Sequence, residues 1–140
     1  KIILKDDIIY SLKKIKNYCK KTFDEKKIIH MLIDNYIIDN KIYSLLPDNL
    51  KSNNFAIDVK FICLSNSIIK DLEKILKKYQ IAIQQLVESN YVSKLSFKSN
   101  DDIFLTTKKA AEGSNINEVK LLEKISRNKG FFERFFNLFS

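Results

Sequence analysis

Apolar residues recur at Ile8, Leu12, Ile15 and Cys19, a spacing of three to four that places them on one face of a helix. Asp6 or Asp7 is placed to cap that helix, and Lys13, Lys14, Lys16, Lys20 and Lys21 fall mostly on its outer face or last turn, where cations suit the helix dipole. The β-branched run from Lys27 to Ile38 predicts a strand with a break at Asp34-Asn35. Pro47-Asp48-Asn49 and Ser52-Asn53-Asn54 then predict a loop. Phe55, Ile57, Val59, Phe61 and Cys63 alternate with Ala56, Asp58, Lys60, Ile62 and Leu64, the clearest strand pattern in the chain. Ser65 or Asn66 can cap the next helix, in which Ile68, Ile69, Leu72, Ile75, Leu76 and Tyr79 form a broad stripe expected to be core. A short strand is expected at Ile81–Val87. The order helix, strand, strand, helix, strand predicts an α+β fold, a small three-stranded sheet covered by two helices.

Beyond Phe97 the pattern weakens. Residues 98–129 mix charges, Asn and Ser, and predict a linker, helical only near its end, where Val119, Leu122 and Ile125 share a face. Residues 1–97 are therefore expected as one module and 130–140 as a separate element. In that last stretch Phe131, Phe132, Phe135, Phe136, Leu138 and Phe139 make one continuous apolar face of a helix, with Glu133, Arg134, Asn137 and Ser140 opposite. So short a helix cannot span a bilayer, which needs about 20 apolar residues, but it can lie in the membrane interface or in a partner's groove. Burying one Phe gains roughly 1.5–3 kcal/mol, so five partly buried rings supply on the order of 5–10 kcal/mol before ordering entropy is subtracted. Lys124, Arg127, Lys129 and Arg134 are placed to meet anionic headgroups, each contributing about 1 kcal/mol. The competing expectation is that the Phe face packs back on the chain's own core.

Composition narrows the partners. The 140 residues carry a net charge of +8, which suits anionic lipid or nucleic acid, although a solvated lysine-rich surface explains it equally simply. Arg occurs only at Arg127 and Arg134, and no RNA-binding motif is present, so a basic nucleic-acid-binding module with an internally packed tail is the alternative. Tyr18 beside Lys20 and Lys21, or Phe61 beside Lys60, would supply its stacking platform, though Phe61 lies on the apolar face of its strand. Cys19 and Cys63 form no C-x-x-C pair and read as small core residues of a reducing compartment. With the single His30 they offer no metal-ligand set. Gly113 and Gly130 are the only glycines and neither opens a phosphate loop. His30 reads as a core or edge histidine, and Asp6-Asp7 and Asp101-Asp102 as helix caps or solvated loop. No catalytic residue, cofactor or metal is expected. Lys1 in place of Met suits a fragment, and cytoplasmic residence with a peripheral membrane contact is expected.

With this order of elements in view, the chain resembles the bacterial cell-division family FtsA, the actin-like membrane tethers of the division ring. The likeness falls on the inserted subdomain 1C. Ile3-Leu-Lys-Asp-Asp-Ile8 resembles the family's opening Thr-x-x-Asp-Ile/Val pattern, and Lys27-Ile-Ile-His-Met-Leu32 its first strand. Asn35-Tyr-Ile-Ile-Asp39 resembles the continuation of that strand, Pro47 falls near the Pro of the connecting loop, and Ala56–Leu64 resembles the second strand. Gln80–Leu86 with Glu88-Ser-Asn-Tyr91 is similar to the third strand and the Glu-Pro-x-Ala-Ser stretch after it, and Gly130–Ser140 to the C-terminal membrane-targeting helix. The likeness covers about residues 3–95 and 128–140. The chain departs from the family in lacking the loop glycines, the Pro after Glu88, and the Asp-x-Gly motifs of the ATPase core.

The resemblance implies a non-enzymatic adaptor. It implies contacts with FtsZ-ring and later division components, self-association among neighbours, and attachment to the inner face of the cytoplasmic membrane.

Overall fold

A computed structural model describes residues 5–47, 52–95 and 102–120. Helix α1 spans Lys5–Thr22, so Asp6 and Asp7 lie within its first turn instead of capping it, where their charge still complements the dipole. Ile8, Leu12 and Cys19 are buried as their spacing requires, while Ile15 is left exposed. Strand β1 runs from Lys26 to Ile38 and pairs antiparallel with β3, Phe55–Ser65, along its whole length. Register shifts fall between Ile28 and His30 and between Ile33 and Asn35; the second is the break expected at Asp34-Asn35.

β1 turns into β2, Lys41–Tyr43, through Asp39 and Asn40, whose φ values of 46° and 65° are the left-handed conformations a two-residue hairpin demands. Asp39 also closes the following loop. Its Oδ1 accepts from the Ser52 hydroxyl and from the N–H groups of Asn53 and Asn54 at 3.0–3.1 Å. Those bonds, the one from Asn54 above all, hold the Asp39 carboxyl below the usual carboxylate range.

Ser65 caps helix α2, Asn66–Lys77, accepting from the Ser67 N–H at 3.2 Å. Ser65→Ala is expected to cost about 1 kcal/mol, read as a lowered urea midpoint at unchanged slope. A midpoint equal to wild type would contradict this role.

The sheet is three-stranded in the order β2-β1-β3, but its third strand differs from the expected one. Ile81–Val87 joins no sheet. The partners that β1 takes are other segments. β3 takes one edge of β1 entirely, and β2 takes the other edge at Tyr36–Ile38. Farther along that second edge, at Met31–Ile33, sits a segment expected to be linker: Ile33 N–H donates to Asn117 O at 2.9 Å, and Val119 N–H to Met31 O at 2.8 Å.

Residues 102–120 are thus part of the folded module. Helix α3 (Ser89–Lys94) is capped by Glu88, and helix α4 (Ile103–Ala111) by Asp102, which accepts from the Leu105 N–H at 2.7 Å. Of α4 only the small residues Thr106 and Ala110 are buried, a contact its weak apolar pattern does not announce. Val119 packs in the core beside β1 where a helical face was expected.

The two faces of β1 carry two cores. Met31 and Ile33 meet Ile8 and Leu12 of α1, with Phe61 packed alongside. On the opposite face Leu32 and Ile62 meet Tyr91, Val92 and Ala110 of α3 and α4. α2, expected to cover the sheet, buries only Ile69. Cys19 is buried and Cys63 half-buried, both as free thiols, and burial raises the Cys63 thiol above its ordinary value.

Candidate functional site

The densest polar chemistry among the described residues lies where β1, α3 and the Asn115–Val119 segment converge. His30, on β1, is only 3 % exposed. Its Nε2 accepts from the Glu88 N–H at 3.0 Å, which fixes the tautomer: the ring proton sits on Nδ1, 2.8 Å from Glu118 Oε1, and is donated there. The Tyr91 hydroxyl donates to Glu118 Oε2 at 2.9 Å and accepts from Asn115 Nδ2 at 2.9 Å. The His30 and Tyr91 rings lie 4.3 Å apart, tilted by 41°. Burial, with Glu118 reinforcing it, pushes the Tyr91 phenol up to about 12, so it remains a neutral donor.

Every buried side-chain polar atom among the described residues has a partner. Both ring nitrogens of His30 and both carboxylate oxygens of Glu118 are engaged, so the cluster acts as a clasp between three segments and offers no free reactive atom. This matches the reading of His30 as a core or edge histidine. Glu118, Tyr91 and Asn115 were not legible as its partners. Glu118 lies 88 positions along the chain in what reads as a linker, and the only sequence signal was an apolar Val119 beside it.

Glu88 caps α3 with the same residue whose amide holds His30. Its carboxylate accepts from the Asn90 N–H at 3.0 Å and the Tyr91 N–H at 2.6 Å. The Asn90 bond is the main reason its carboxyl sits below the ordinary value of 4.5, against an opposing desolvation. A value depressed by folding means the stabilisation is present at neutral pH and is lost as pH falls below 4.5. Acid titration followed by circular dichroism is therefore expected to show a shallower loss for Glu88→Gln than for wild type. Superimposable titrations would contradict the cap's role.

The second feature is a surface. On α2, Ile68 is 54 % exposed, Leu72 37 %, Ile75 54 % and Tyr79, just beyond the helix, 71 %. Helical spacing places all four on one face. Of the stripe expected as core, Ile69 is buried and Leu76 half-buried, while the other four form an open apolar face.

No known family model, curated protein or solved structure matches the chain. No group of His, Cys, Asp and Glu suited to a metal occurs among the described residues. No helix among them is long and apolar enough to cross a membrane. Phe131, Phe132, Phe135, Phe136, Leu138 and Phe139, with Lys124, Arg127, Lys129 and Arg134, lie outside the described residues. Leu45 and Leu46, just before Pro47, are exposed. Of the alternative stacking residues, Tyr18 is 69 % exposed, while Phe61 packs in the core with α1.

Proposed function

We propose that this chain is a non-enzymatic cell-division adaptor, a protein-contact module joined to an aromatic, membrane-binding tail. The observation that carries the reading is the open face of α2. Ile68, Leu72, Ile75 and Tyr79 are exposed and belong to neither core cluster of the described residues. An amphipathic helix face left open on a folded domain is the physical form of a docking surface. The aromatic face of residues 131–139 supplies the second attachment, to the inner face of the cytoplasmic membrane. The resemblance to FtsA supports the pairing of these two functions, with FtsZ-ring and later division components as the partners.

A fluorescent fusion of the intact chain in dividing bacterial cells tests the two attachments separately. Wild type is expected at the membrane and concentrated at mid-cell. Leu72→Asp with Ile75→Asp should leave it on the membrane but lose the mid-cell band. A diffuse wild-type signal, or a mid-cell band indifferent to the α2 charges, would contradict the proposal.

A nucleic-acid reading draws on Tyr10 and Tyr18, both exposed on α1 among Lys13, Lys14, Lys20 and Lys21. Salt separates the two: phosphate contacts weaken steeply with ionic strength, whereas apolar insertion persists.

A further inference from the structure

Cys19 and Cys63 meet at one corner of the fold. Cys19 lies in the last turn of α1, on the same buried face as Leu12. In β3, Phe55, Ile57, Val59 and Phe61 pack on the α1 side and Ile62 on the other, so alternation sets Cys63 on the α1 side as well. Only Phe23–Glu25 separates α1 from β1, and the start of β1 pairs with the end of β3, Ile28 opposite Cys63. The end of the helix and the end of the strand are therefore brought to the same place. Hydrogen bonds hold that corner: Phe23 N–H donates to Cys19 O at 3.0 Å, and Asn66 donates its N–H to Glu25 O and its Nδ2 to Asp24 O, both at 2.9 Å. Burial raises the half-buried Cys63 thiol, and the Cys19 thiol beside it adds to this by charge and then by hydrogen bonding, against the charge of Lys26. The Lys26 ammonium belongs to the same corner, with Nζ 5.7 Å from the centre of the Phe23 ring.

We propose that Cys19 and Cys63 are a redox-sensitive pair that a hydroperoxide joins into a disulfide between α1 and β3. Cys63, half-buried where Cys19 is buried, is the thiol that meets the oxidant. Lys26 favours its thiolate, which attacks the peroxide oxygen. The O–O bond breaks, Cys63 becomes a sulfenic acid, and the rest of the peroxide takes up a proton and leaves as an alcohol, or as water from hydrogen peroxide. The Cys19 sulfur then attacks the Cys63 sulfur, the S–O bond breaks, and the Cys19 proton leaves with the hydroxide as water. In all, two thiols lose two electrons and two protons, and the peroxide receives them. Because the Cys63 thiol is raised, little thiolate exists at neutral pH, so the pair answers sustained oxidant and reacts faster as pH rises. The bond fixes α1 to the sheet at the corner from which α2 departs, and a thiol reductant releases it. The inference is independent of what the α2 face and the aromatic tail bind.

Treating the folded, intact chain with hydrogen peroxide at low protein concentration tests it. The mass is measured after the peroxide is removed, and remaining thiols are counted by alkylation in denaturant. A monomer lighter by the two thiol hydrogens is expected, with neither cysteine alkylated, circular dichroism unchanged and full reversal by dithiothreitol. Its urea midpoint should rise, equivalent to roughly 30- to 1,000-fold in the folded-to-unfolded ratio, because the bond closes the long loop between the two residues. In Cys19→Ser the reaction should stop at oxygen added to Cys63, and in Cys63→Ser the buried Cys19 should stay reduced. Two alkylated thiols after treatment of wild type would overturn the proposal. So would disulfide-linked dimers, or a coupled monomer whose urea midpoint falls. The wild-type mass decides the question by itself, so a variant that fails to fold does not spare the proposal.

Discussion

Replacing Phe135 and Phe136 together by Glu is expected to release the intact chain from anionic vesicles. Each ring inserted into the interface gains roughly 1.5–3 kcal/mol, so losing both removes about 3–6 kcal/mol. That corresponds to a drop in partition of roughly 10²- to 10⁴-fold. The two new carboxylates also face an anionic surface, which adds to the loss. Neutralising Lys124 or Arg127 singly should cost only about 1 kcal/mol, roughly fivefold, and that smaller effect should fade as salt screens it. The ratio between the two classes of variant is itself informative, because a purely electrostatic attachment would reverse it. Undiminished binding by the double Phe variant would mean that these rings are not the inserting face.

The largest expected loss of stability follows from His30→Ala. The substitution strips the acceptor from the Glu88 N–H and leaves Glu118 with only the Tyr91 hydroxyl. An unsatisfied buried amide costs about 1–3 kcal/mol, and losing a hydrogen bond to a charged group about 1.5–3 kcal/mol. Because the terms overlap, the sum is expected to be about 3–5 kcal/mol, a large share of the 5–15 kcal/mol that typically holds a domain. His30→Asn, which can still donate to Glu118 from near the Nδ1 position, should lose less. Urea unfolding of the three proteins measures the order. A loss below about 1 kcal/mol for His30→Ala would show that the clasp does not hold its three segments together.

What the sequence displayed and what it concealed have physical causes. The β1–β3 pair was legible because Phe55–Cys63 alternates cleanly and Asp34-Asn35 interrupts an otherwise β-branched run. Ser65 was legible as a cap because a short hydroxyl before an apolar stripe has few other uses. β2 was not, since three residues carry no period and its turn depends on left-handed backbone at Asp39 and Asn40. Ile81–Val87 has the composition of a strand, but pairing needs a neighbour, and no alternation records which edge is free.

The same limit hid the clasp. His30 finds its partners 58 and 88 positions away, and nothing local to His30 points to Glu88 or Glu118. The α2 stripe misled for a different reason: the periodicity of an amphipathic helix is identical whether its apolar face meets its own core or something outside it.

The most direct test of the adaptor account is sedimentation of the intact chain with vesicles of mixed neutral and anionic lipid across a salt series. The account predicts binding that weakens modestly as salt rises and then persists, because apolar insertion outlasts screening of the lysines. Binding that collapses with salt, or no binding at any salt, would contradict it.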